Sequence, residues 1–320
     1  MLVDGRWTRD WDPYQKNDAK GRFVRQRSSF RSWITPDGSP GPTGEGGFPA
    51  EPGRYRLYIA WICPWASRTT LVRALRGLQD QIAITVLDPR LGEQGWTFGP
   101  EGDPLSSAEH LHELYTRVEP AFTGRATVPV LWDETRQTIV NNESADIMRM
   151  LATAFPAGPQ AVPGLELYPE ALADEMARFD TELYEAVNNG VYRAGFARSQ
   201  EAYEEAVQRL FAALDELEAR LEDGRPFLFG AAMTGSDVRL FVTLIRFDAV
   251  YYSLFKCNLR RIADYPRLQA LMERVYALPG AASTVNLEHI KAGYYSVAAL
   301  NPTGIVPVGP RGVLGDSSPG

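Results

Sequence analysis

The strongest constraint on the fold is a change of pattern at residues 156–169, where the segment PAGPQAVPGLELYP contains four prolines. Proline removes a backbone donor and glycine raises the entropy of ordering, so this segment predicts a linker. Short β-prone runs precede it, and helical periodicity follows it. At 320 residues the chain is also longer than a usual single domain. We therefore predict two packed domains of different class.

The residues before the linker predict a small mixed sheet. A β-prone run, RLYIAWI, leads through a Cys-Pro turn into a helical pattern with apolar residues at Leu71, Leu75 and Leu78. A second β-rich run (82–88), a long insert, and two short runs, TVPVLWD and TIVN, come before the next helix. The last two runs have a short connection and so pair antiparallel. This predicts an α/β domain over 51–156 with a mixed four-stranded sheet.

The residues after the linker, which we place at 157–170, predict an all-helical domain over 171–300. One helix carries an apolar stripe backed by acidic residues. The stripe consists of Val207, Leu210, Phe211, Leu214, Leu217 and Leu221. Thr234 and Asp237 have the spacing of a capping box, so a buried helix begins there. The Gly-rich and Pro-rich segment 301–320 predicts a strap followed by a tail.

Residues 1–50 predict an irregular N-terminal extension. The run ITPDGSPGPTGEGGFPAEPGR, which begins at Ile34, is too rich in proline and glycine to hold regular structure. The aromatic residues of the extension, which include Trp7, Trp11, Phe30 and Trp33, predict that it lies against the body. We interpret it as a packing element and not as a source of catalytic groups.

Composition and charge exclude several classes of function. No stretch approaches the roughly 18 to 20 uncharged apolar residues of a membrane span, and the start, MLVDGRWTRDWDPYQ, lacks the apolar segment of a secretory signal. We expect a cytoplasmic protein without a membrane partner. The net charge of -7 and the lack of a long basic run argue against nucleic acid as a partner. A small-molecule substrate is favoured.

The few cysteines and histidines argue against a metal site. Two cysteines, Cys63 and Cys257, lie far apart in sequence, which is not the pattern of a disulfide scaffold or a cysteine-rich metal site. Of the three histidines, His110 and His112 alternate in a predicted helix, where they would face different directions. We predict no metal.

The junction of Cys63 and Pro64 carries the clearest chemical signal. Proline is favoured at the first helical position, so the thiol would sit at a helix N-terminus, where the helix dipole favours a thiolate nucleophile. A buried structural cysteine is the alternative. Position 66 is Ala66, so no local dithiol can form, and Cys63 needs an external thiol as its resolving partner.

Two weaker motifs follow in the same domain. Val128 precedes Pro129 at the start of a strand, which by itself is also typical of an ordinary edge-strand proline. Glu143 and Ser144 stand together at a helix start, where they could hold an α-ammonium and an α-carboxylate. A simple helix cap would explain Ser144 alone.

In this order, WICPWASRTT, RATVPVLWD and TIVNNESADIM resemble the thioredoxin-fold domain of the glutathione transferases. The sequence is most similar to the Xi class, the glutathionyl-hydroquinone reductases, which carry a Cys-Pro-Trp-Ala motif. The resemblance extends through NNGVYRAGFA, RFDAVYYSLFKCN and NPTGIVPVGP, and so covers nearly the whole chain.

The resemblance implies roles for individual residues. Cys63 would be the nucleophile, Trp96 would pack on glutathione, and Val128, through a cis peptide bond, would pair with the cysteinyl backbone of glutathione. Glu143 and Ser144 would bind the γ-glutamyl end. The helical domain would line an aromatic substrate pocket, with two candidate proton donors among its tyrosines. The pocket tyrosines are Tyr192, Tyr251 and Tyr295, of which Tyr192 and Tyr295 are the proton donor candidates.

One departure from the family pattern affects that pocket. Many members have a His-Tyr-Tyr segment followed by Ser-His, whereas this chain reads KAGYYSVAALNP, with Gly293 and no second histidine. The shape of the acceptor pocket, and therefore the preferred quinone, stays open.

The function that these features predict is glutathione-dependent reduction of glutathionyl-hydroquinones through a mixed disulfide on Cys63, with glutathione as co-substrate. The resemblance also implies a homodimer. Two alternatives remain: a broader monothiol transferase that acts on dehydroascorbate or protein mixed disulfides, and a non-catalytic protein that carries apolar ligands on the same fold. Intact Cys63, Glu143 and Ser144 argue against the last of these.

Overall fold

The computed structural model describes residues 1–8, 17–100 and 102–312. Trp11 and the tail predicted beyond residue 312 lie outside these residues. Within the described part, the chain divides into two compact units. The first takes residues 1–8, 26–163 and 283–289, and the second takes 17–25, 164–282 and 290–312. The segment expected to be one N-terminal extension is therefore shared between the two units.

Four short strands form in the N-terminal segment of the first unit. They are β1 (Leu2–Val3), β2 (Arg6–Trp7), β3 (Trp33–Thr35) and β4 (Gly47–Pro49). β1 and β2 pair antiparallel, whereas β3 and β4 pair parallel. The expectation that the Pro-rich and Gly-rich run holds no regular structure is wrong at its two ends. The apolar residues Trp33, Ile34 and Phe48 are buried, and burial of these side chains stabilises a pairing that the local composition disfavours.

A mixed four-stranded sheet forms the centre of the first unit, as predicted. Its elements are β5 (Tyr55–Ile59), α1 (Pro64–Leu75), β6 (Ile82–Val86), α2 (Leu111–Val118), β7 (Val130–Asp133), β8 (Thr138–Asn141) and α3 (Ser144–Thr153). The strand order is β6-β5-β7-β8, with β5 and β6 parallel and the other two pairs antiparallel. This order places β5 at the centre, so the chain that leaves β5 enters α1 from the interior of the sheet.

The register of β5 explains why this strand is so firmly held. Leu57 pairs with Ile84 on one side and with Leu131 on the other. Tyr55, Leu57, Tyr58 and Ile59 are all fully buried. A strand buried on both faces and paired at both edges has little freedom to move, so the residues that follow it start from a fixed point.

The second unit is helical, as predicted. Its helices are α4 (Ala173–Leu183), α5 (Gly190–Gly195), α6 (Gln200–Arg220), α7 (Gly235–Arg246), α8 (Pro266–Tyr276) and α9 (Leu287–Tyr295), of which residues 290–295 belong to this unit. The predicted apolar stripe of α6 is buried along its whole length. Two π-helical turns, at Tyr184–Asn188 and Phe247–Tyr251, widen the backbone before α5 and after α7.

The predicted capping box at the start of α7 is confirmed. Asp237 Oδ2 accepts hydrogen bonds of 2.8 Å from both the backbone N–H and the hydroxyl of Thr234, and its Oδ1 accepts from Leu228 N at 2.8 Å. The carboxylate thus satisfies donors that the helix itself leaves open, which fixes where this buried helix begins.

The prediction that His110 and His112 face different directions is wrong. His110 is the N-cap of α2 and has extended backbone angles, so the helical spacing does not apply between the two residues. Their rings stack at 5.3 Å, and Trp7 stacks on His112 at 4.8 Å. Burial lowers the pKa of His112 to about 4. The described residues contain no cluster of three or more potential metal ligands.

None of the helices formed by the described residues is both long enough and apolar enough to cross a membrane.

Candidate functional site

Cys63 stands where β5 gives way to α1. It is the N-cap residue of α1, with extended backbone angles (φ −77°, ψ 116°), and Pro64 is the first helical residue. The Cys63 N–H donates to Ala60 O at 2.9 Å, which holds the short connection in place. The side chain is half-buried. A half-buried cysteine therefore stands at the end of the helix where the dipole favours negative charge.

The Val128–Pro129 peptide bond is cis, and its loop borders the Cys63 sulfur. The Cys63 thiol donates to the carbonyl oxygen of Val128 at 3.5 Å, a distance within the range of a hydrogen bond from sulfur. No other described residue accepts a hydrogen bond from the Val128 N–H. A residue whose carbonyl borders a thiol and whose N–H has no other acceptor is suited to pairing with an extended peptide-like ligand.

Glu143 and Ser144 lie at the N-terminus of α3. Glu143 is the N-cap residue, and its Oε1 accepts from Ala145 N at 3.1 Å. The Ser144 hydroxyl donates to the same oxygen at 3.5 Å. The Glu143 backbone N–H donates to Asn141 Oδ1 at 2.6 Å, which fixes the turn that precedes the helix. Acid and hydroxyl are thus held together at a helix start.

Arg68, which was not selected from the sequence, adds a buried cation to the group formed by Cys63, Val128, Glu143 and Ser144, which we call the Cys63 corner. It lies on α1, one turn beyond Cys63, and is only 1% exposed. Its Nη1 donates to the Ser144 hydroxyl at 3.3 Å, and its guanidinium lies 4.3 Å from the centre of the Trp65 ring. A guanidinium behind a hydroxyl at a helix N-terminus favours a carboxylate ligand. The sequence offered one signal for it, a charged residue on the otherwise apolar face of α1.

The N-terminal segment also contributes to the corner, although we interpreted it from sequence as a packing element. The Ser28 hydroxyl donates to Glu143 Oε2 at 2.9 Å and lies 3.2 Å from Asn142 O. Arg31 forms an ion pair of 2.5 Å with Asp146 in the first turn of α3. Ser28 therefore takes one oxygen of the carboxylate that was predicted to bind substrate. No pattern in the sequence signalled this pairing, because the two residues are 115 positions apart.

Trp96 is in the loop between β6 and α2. It is half-buried, and its carbonyl accepts from Leu111 N at 2.9 Å. Among the described residues, no hydrogen bond or ring contact links Trp96 to Cys63, Val128 or Glu143. The first unit thus brings Cys63 together with Val128, and Glu143 together with Ser144, whereas Trp96 is placed on a neighbouring loop.

Three tyrosine hydroxyls meet in the second unit. Tyr192 Oη lies 2.5 Å from Tyr294 Oη, and Tyr251 Oη lies 3.1 Å from the same atom. Tyr251 is fully buried, Tyr294 is nearly so, and Tyr192 is half-buried. Burial raises the pKa values of Tyr251 and Tyr294 well above the ordinary value. Tyr251 and Tyr294 therefore stay protonated at neutral pH, and the three hydroxyls form a chain that can pass a proton.

Tyr295, which the resemblance implied as a pocket residue, does not belong to this cluster. Its hydroxyl is hydrogen-bonded to Ser253 Oγ and lies 3.3 Å from Ala249 O. Adjacent residues of a helix point about 100° apart, so only one of the two tyrosines at the end of α9 can face Tyr192. The structure puts Tyr294 there. The sequence YY does not distinguish between them.

The backbone near the cluster departs from regular helix at two places. One π-helical turn ends at Asn188, just before the helix that carries Tyr192, and the other ends at Tyr251 itself. Such turns rotate the following side chains out of the regular helical sequence and are frequent at functional sites. The Arg25 guanidinium lies 4.6 Å from the centre of the Tyr192 ring and donates to Asn189 Oδ1 at 2.9 Å.

The second cysteine has none of the features of Cys63. Cys257 is 0% exposed, and burial raises the pKa of its thiol. Neither cysteine forms a disulfide. Cys257 is therefore a packing residue, as is common for buried cysteines.

Comparisons with known proteins agree over most of the chain. The family model described as glutathione S-transferase, N-terminal domain, matches residues 62–154, and the one described as glutathione S-transferase, C-terminal domain, matches residues 200–274. A relative from Escherichia coli (strain K12), glutathionyl-hydroquinone reductase YqjG, is 48% identical over 317 residues, which cover 97% of this chain and 95% of the relative. Glutathionyl-hydroquinone reductase PcpF from Sphingobium chlorophenolicum is 46% identical over 315 residues, with 97% and 96% covered.

Solved structures show the same likeness. The glutathione-bound structure of YqjG superposes with a TM-score of 0.87 at 45% identity, covering 97% of this chain and 95% of that one. A Xi class glutathione transferase from Natrialba magadii also gives a TM-score of 0.87, at 42% identity, with 97% and 94% covered.

Proposed function

Because the chain belongs to the Xi class of the glutathione S-transferase family, we propose that it reduces glutathionyl-hydroquinones to hydroquinones at the expense of glutathione. The observation that carries the proposal is the position of the Cys63 sulfur. It lies at the N-terminus of α1 and 3.5 Å from the carbonyl oxygen of a cis Val128–Pro129 peptide. A nucleophile and a peptide-binding edge are thereby combined in one place.

The proposed reaction has two displacements on sulfur. The Cys63 thiolate attacks the thioether sulfur of the substrate, so that a sulfur–sulfur bond forms and the bond from sulfur to the ring carbon breaks. The ring carbon keeps the electron pair and takes a proton, which gives the hydroquinone. A second glutathione thiolate then attacks the glutathionyl sulfur of the mixed disulfide, releases glutathione disulfide and restores the Cys63 thiolate. In total, one glutathione thiol and the thioether sulfur of the conjugate become one disulfide, while the ring carbon exchanges its bond to sulfur for a bond to hydrogen.

The residues of the first unit offer complementary groups for the cysteinyl and γ-glutamyl parts of glutathione. The Val128 N–H and C=O would pair with the cysteinyl backbone, as a neighbouring strand does. Glu143 would hold the α-ammonium. Ser144, with Arg68 behind it, would hold the α-carboxylate at the start of α3. Trp96 would pack on the ligand from its own loop.

The tyrosine cluster is our candidate for the proton source. Tyr192, Tyr251 and Tyr294 share hydrogen bonds through the Tyr294 hydroxyl, and a proton given up by one phenol can be replaced from the next. Phenol rings also stack on an aromatic substrate. Tyr295 stays a weaker candidate, because its hydroxyl is bonded to Ser253.

The decisive experiment is turnover of glutathionyl-menadiol by the purified protein with added glutathione, followed by product chromatography. Release of free menadiol that is lost in Cys63→Ser and kept in Cys257→Ala supports the proposal. The Cys257→Ala variant controls for removal of a cysteine as such. Equal activity of the wild type and Cys63→Ser overturns the mechanism.

The same assay decides between the proposed activity and its alternatives. A faster rate on a simple glutathione mixed disulfide than on the hydroquinone conjugate favours the broader monothiol transferase. Tight binding of hydroquinone conjugates without turnover of either substrate favours a ligand-carrying protein. The proposed reductase requires a clear preference for the aromatic conjugate.

We also infer a homodimer that acts in the cytoplasm, on the grounds of family membership. Light scattering of the purified protein tests the assembly, and a mass of one chain contradicts it.

A further inference from the structure

Tyr115 lies on α2 and is fully buried, and its hydroxyl joins two loops of the first unit. The hydroxyl donates to the carbonyl oxygen of Thr127 at 2.8 Å and accepts from the Thr127 N–H at 3.2 Å. It also accepts from Asn142 Nδ2 at 3.1 Å. A phenol hydroxyl has one proton and two acceptor positions, so these three bonds use its full capacity.

Each of the two residues bonded to the Tyr115 hydroxyl immediately precedes a residue of the candidate site. Thr127 precedes Val128, whose backbone borders the Cys63 sulfur. Asn142 precedes Glu143, the N-cap residue of α3. One hydroxyl therefore spans the peptide-binding edge and the start of the helix that would receive the γ-glutamyl end.

The surroundings of Tyr115 hold the hydroxyl in this position. Its ring packs against Phe122 at 5.1 Å and edge-on against Phe30 at 5.6 Å. The Asn142 side chain is fixed in turn, because its Oδ1 accepts from Phe30 N at 3.1 Å. Burial raises the pKa of Tyr115, so the hydroxyl keeps the proton that it donates to Thr127. A buried network with every member satisfied is rigid.

We propose that Tyr115 is a positioning residue that sets the distance between the two glutathione-binding loops through its hydroxyl. The inference rests on the proposed function, because it takes Val128 and Glu143 with Ser144 as the two ends of the glutathione site. Tyr115 touches neither substrate nor sulfur in this account. It acts by keeping both loops in the geometry that one ligand must match at two points.

The test compares Tyr115→Phe with the wild type. The variant keeps the ring and its packing but loses the three hydrogen bonds. We expect the Kd for glutathione, measured by calorimetry, and the KM for glutathione to rise about fivefold or more, the effect of at least one lost hydrogen bond. The kcat at saturating glutathione should stay within about twofold. Unchanged Kd and KM overturn the proposal.

Tyr55→Phe is the matched control. Tyr55 is also a fully buried tyrosine of the first unit, but its hydroxyl donates to Pro49 O and not to either loop. The proposal requires the Kd for glutathione to be unchanged in Tyr55→Phe. An equal loss in both variants overturns it, since the loss would then reflect a general loosening of the core.

A second measurement uses the wild type and needs no variant to fold. Cysteinylglycine lacks the γ-glutamyl group and so can engage the Val128 loop but not Glu143 and Ser144. If Tyr115 links the loops, this ligand slows hydrogen exchange both in residues 126–130 and in residues 141–145. Protection confined to 126–130 contradicts the link.

These measurements separate the inference from the proposed function. Calorimetry and hydrogen exchange report glutathione binding without turnover. A wild type that binds glutathione but reduces no conjugate refutes the proposed reaction and leaves the Tyr115 test in force. A wild type that binds no glutathione refutes both.

Discussion

The Cys63 corner of the first unit and the tyrosine cluster of the second are built in different ways. At the corner, position along the backbone sets the chemistry: a thiol at a helix start, a cis peptide, and a carboxylate at another helix start. In the cluster, the chemistry depends instead on the directions of tyrosine side chains from separate helices. Their hydroxyls meet at Tyr294. A backbone-determined site can be read from motifs, whereas a site made by side-chain direction needs coordinates.

The two regions also differ in what they leave open to a ligand. The corner offers a half-buried sulfur and a backbone N–H that pairs with no other described residue. The cluster offers hydroxyls that are already paired with each other, two of them on buried tyrosines. We therefore expect changes at the corner to act on bond formation and binding, and changes in the cluster to act on proton transfer.

The largest effect should come from Cys63→Ser. A serine hydroxyl is a far weaker nucleophile at neutral pH, so we expect turnover to fall by more than about a thousandfold, while glutathione still binds. Single-turnover mass spectrometry checks the mechanism, because only the wild type should carry glutathione on residue 63. A glutathione adduct elsewhere in the chain would contradict the role of the corner.

The next largest effect distinguishes two adjacent tyrosines of α9, Tyr294 and Tyr295. Tyr294→Phe removes the hydroxyl shared by Tyr192 and Tyr251, and we expect kcat to fall by about a hundredfold, the lower end for loss of a general acid. Tyr295→Phe should cost less than about threefold, because its hydroxyl is bonded to Ser253 instead. The measurement is kcat for the hydroquinone conjugate in both variants. The reverse order would show that Tyr295 is the acid.

A smaller effect is expected from Ser144→Ala. The substitution removes the hydroxyl that accepts from Arg68 and would face the α-carboxylate of glutathione. The KM for glutathione should rise by about fivefold with little change in kcat, because a hydrogen bond of binding is lost. Thr153→Ala, a hydroxyl deletion at the exposed other end of α3, is the control and should leave the KM unchanged. A fall in kcat alone would place Ser144 in the chemical step.

The last prediction concerns the free energy of unfolding at high pH and has no counterpart in activity at neutral pH. Tyrosines of the unfolded chain ionise near pH 10, whereas burial raises the pKa values of Tyr251 and Tyr294 well above that. The free energy of unfolding should keep its full tyrosine contribution below about pH 10 and lose about 1.4 kcal/mol per pH unit for each such tyrosine above it. Urea denaturation between about pH 8 and 11 measures the slope. A slope that is the same in Tyr294→Phe would contradict this account.

The features that could be predicted from the sequence are those set by the backbone, and those set by side-chain packing could not be predicted. The order of strands and helices along the first unit, its mixed four-stranded sheet, the helical second unit and the cap of α7 were predicted, because hydrophobic period and capping residues are local signals. The cis Val128–Pro129 bond, implied by the resemblance, is present. The pairing of β3 with β4 was not predicted. It depends on the burial of Trp33 and Phe48 in the folded unit, which no local sequence pattern signals.

Several residues of the candidate site carried no sequence signal. Ser28 reaches Glu143 across 115 positions, and Tyr115 joins Thr127 and Asn142, which lie 12 and 27 positions further along the chain. The choice between Tyr294 and Tyr295 depends on the rotation of α9. Contacts of this kind arise from packing between elements, which a single sequence does not encode in any short pattern.

Because Cys257 is fully buried, the number of reactive thiols per chain distinguishes folded from unfolded molecules. The chain holds two thiols, and only Cys63 meets solvent while the second unit is folded. A native sample should therefore consume one equivalent of a small alkylating reagent, and an unfolded sample two. The ratio of the two labelled forms in a mixed sample then reports how much of the population has opened around Cys257.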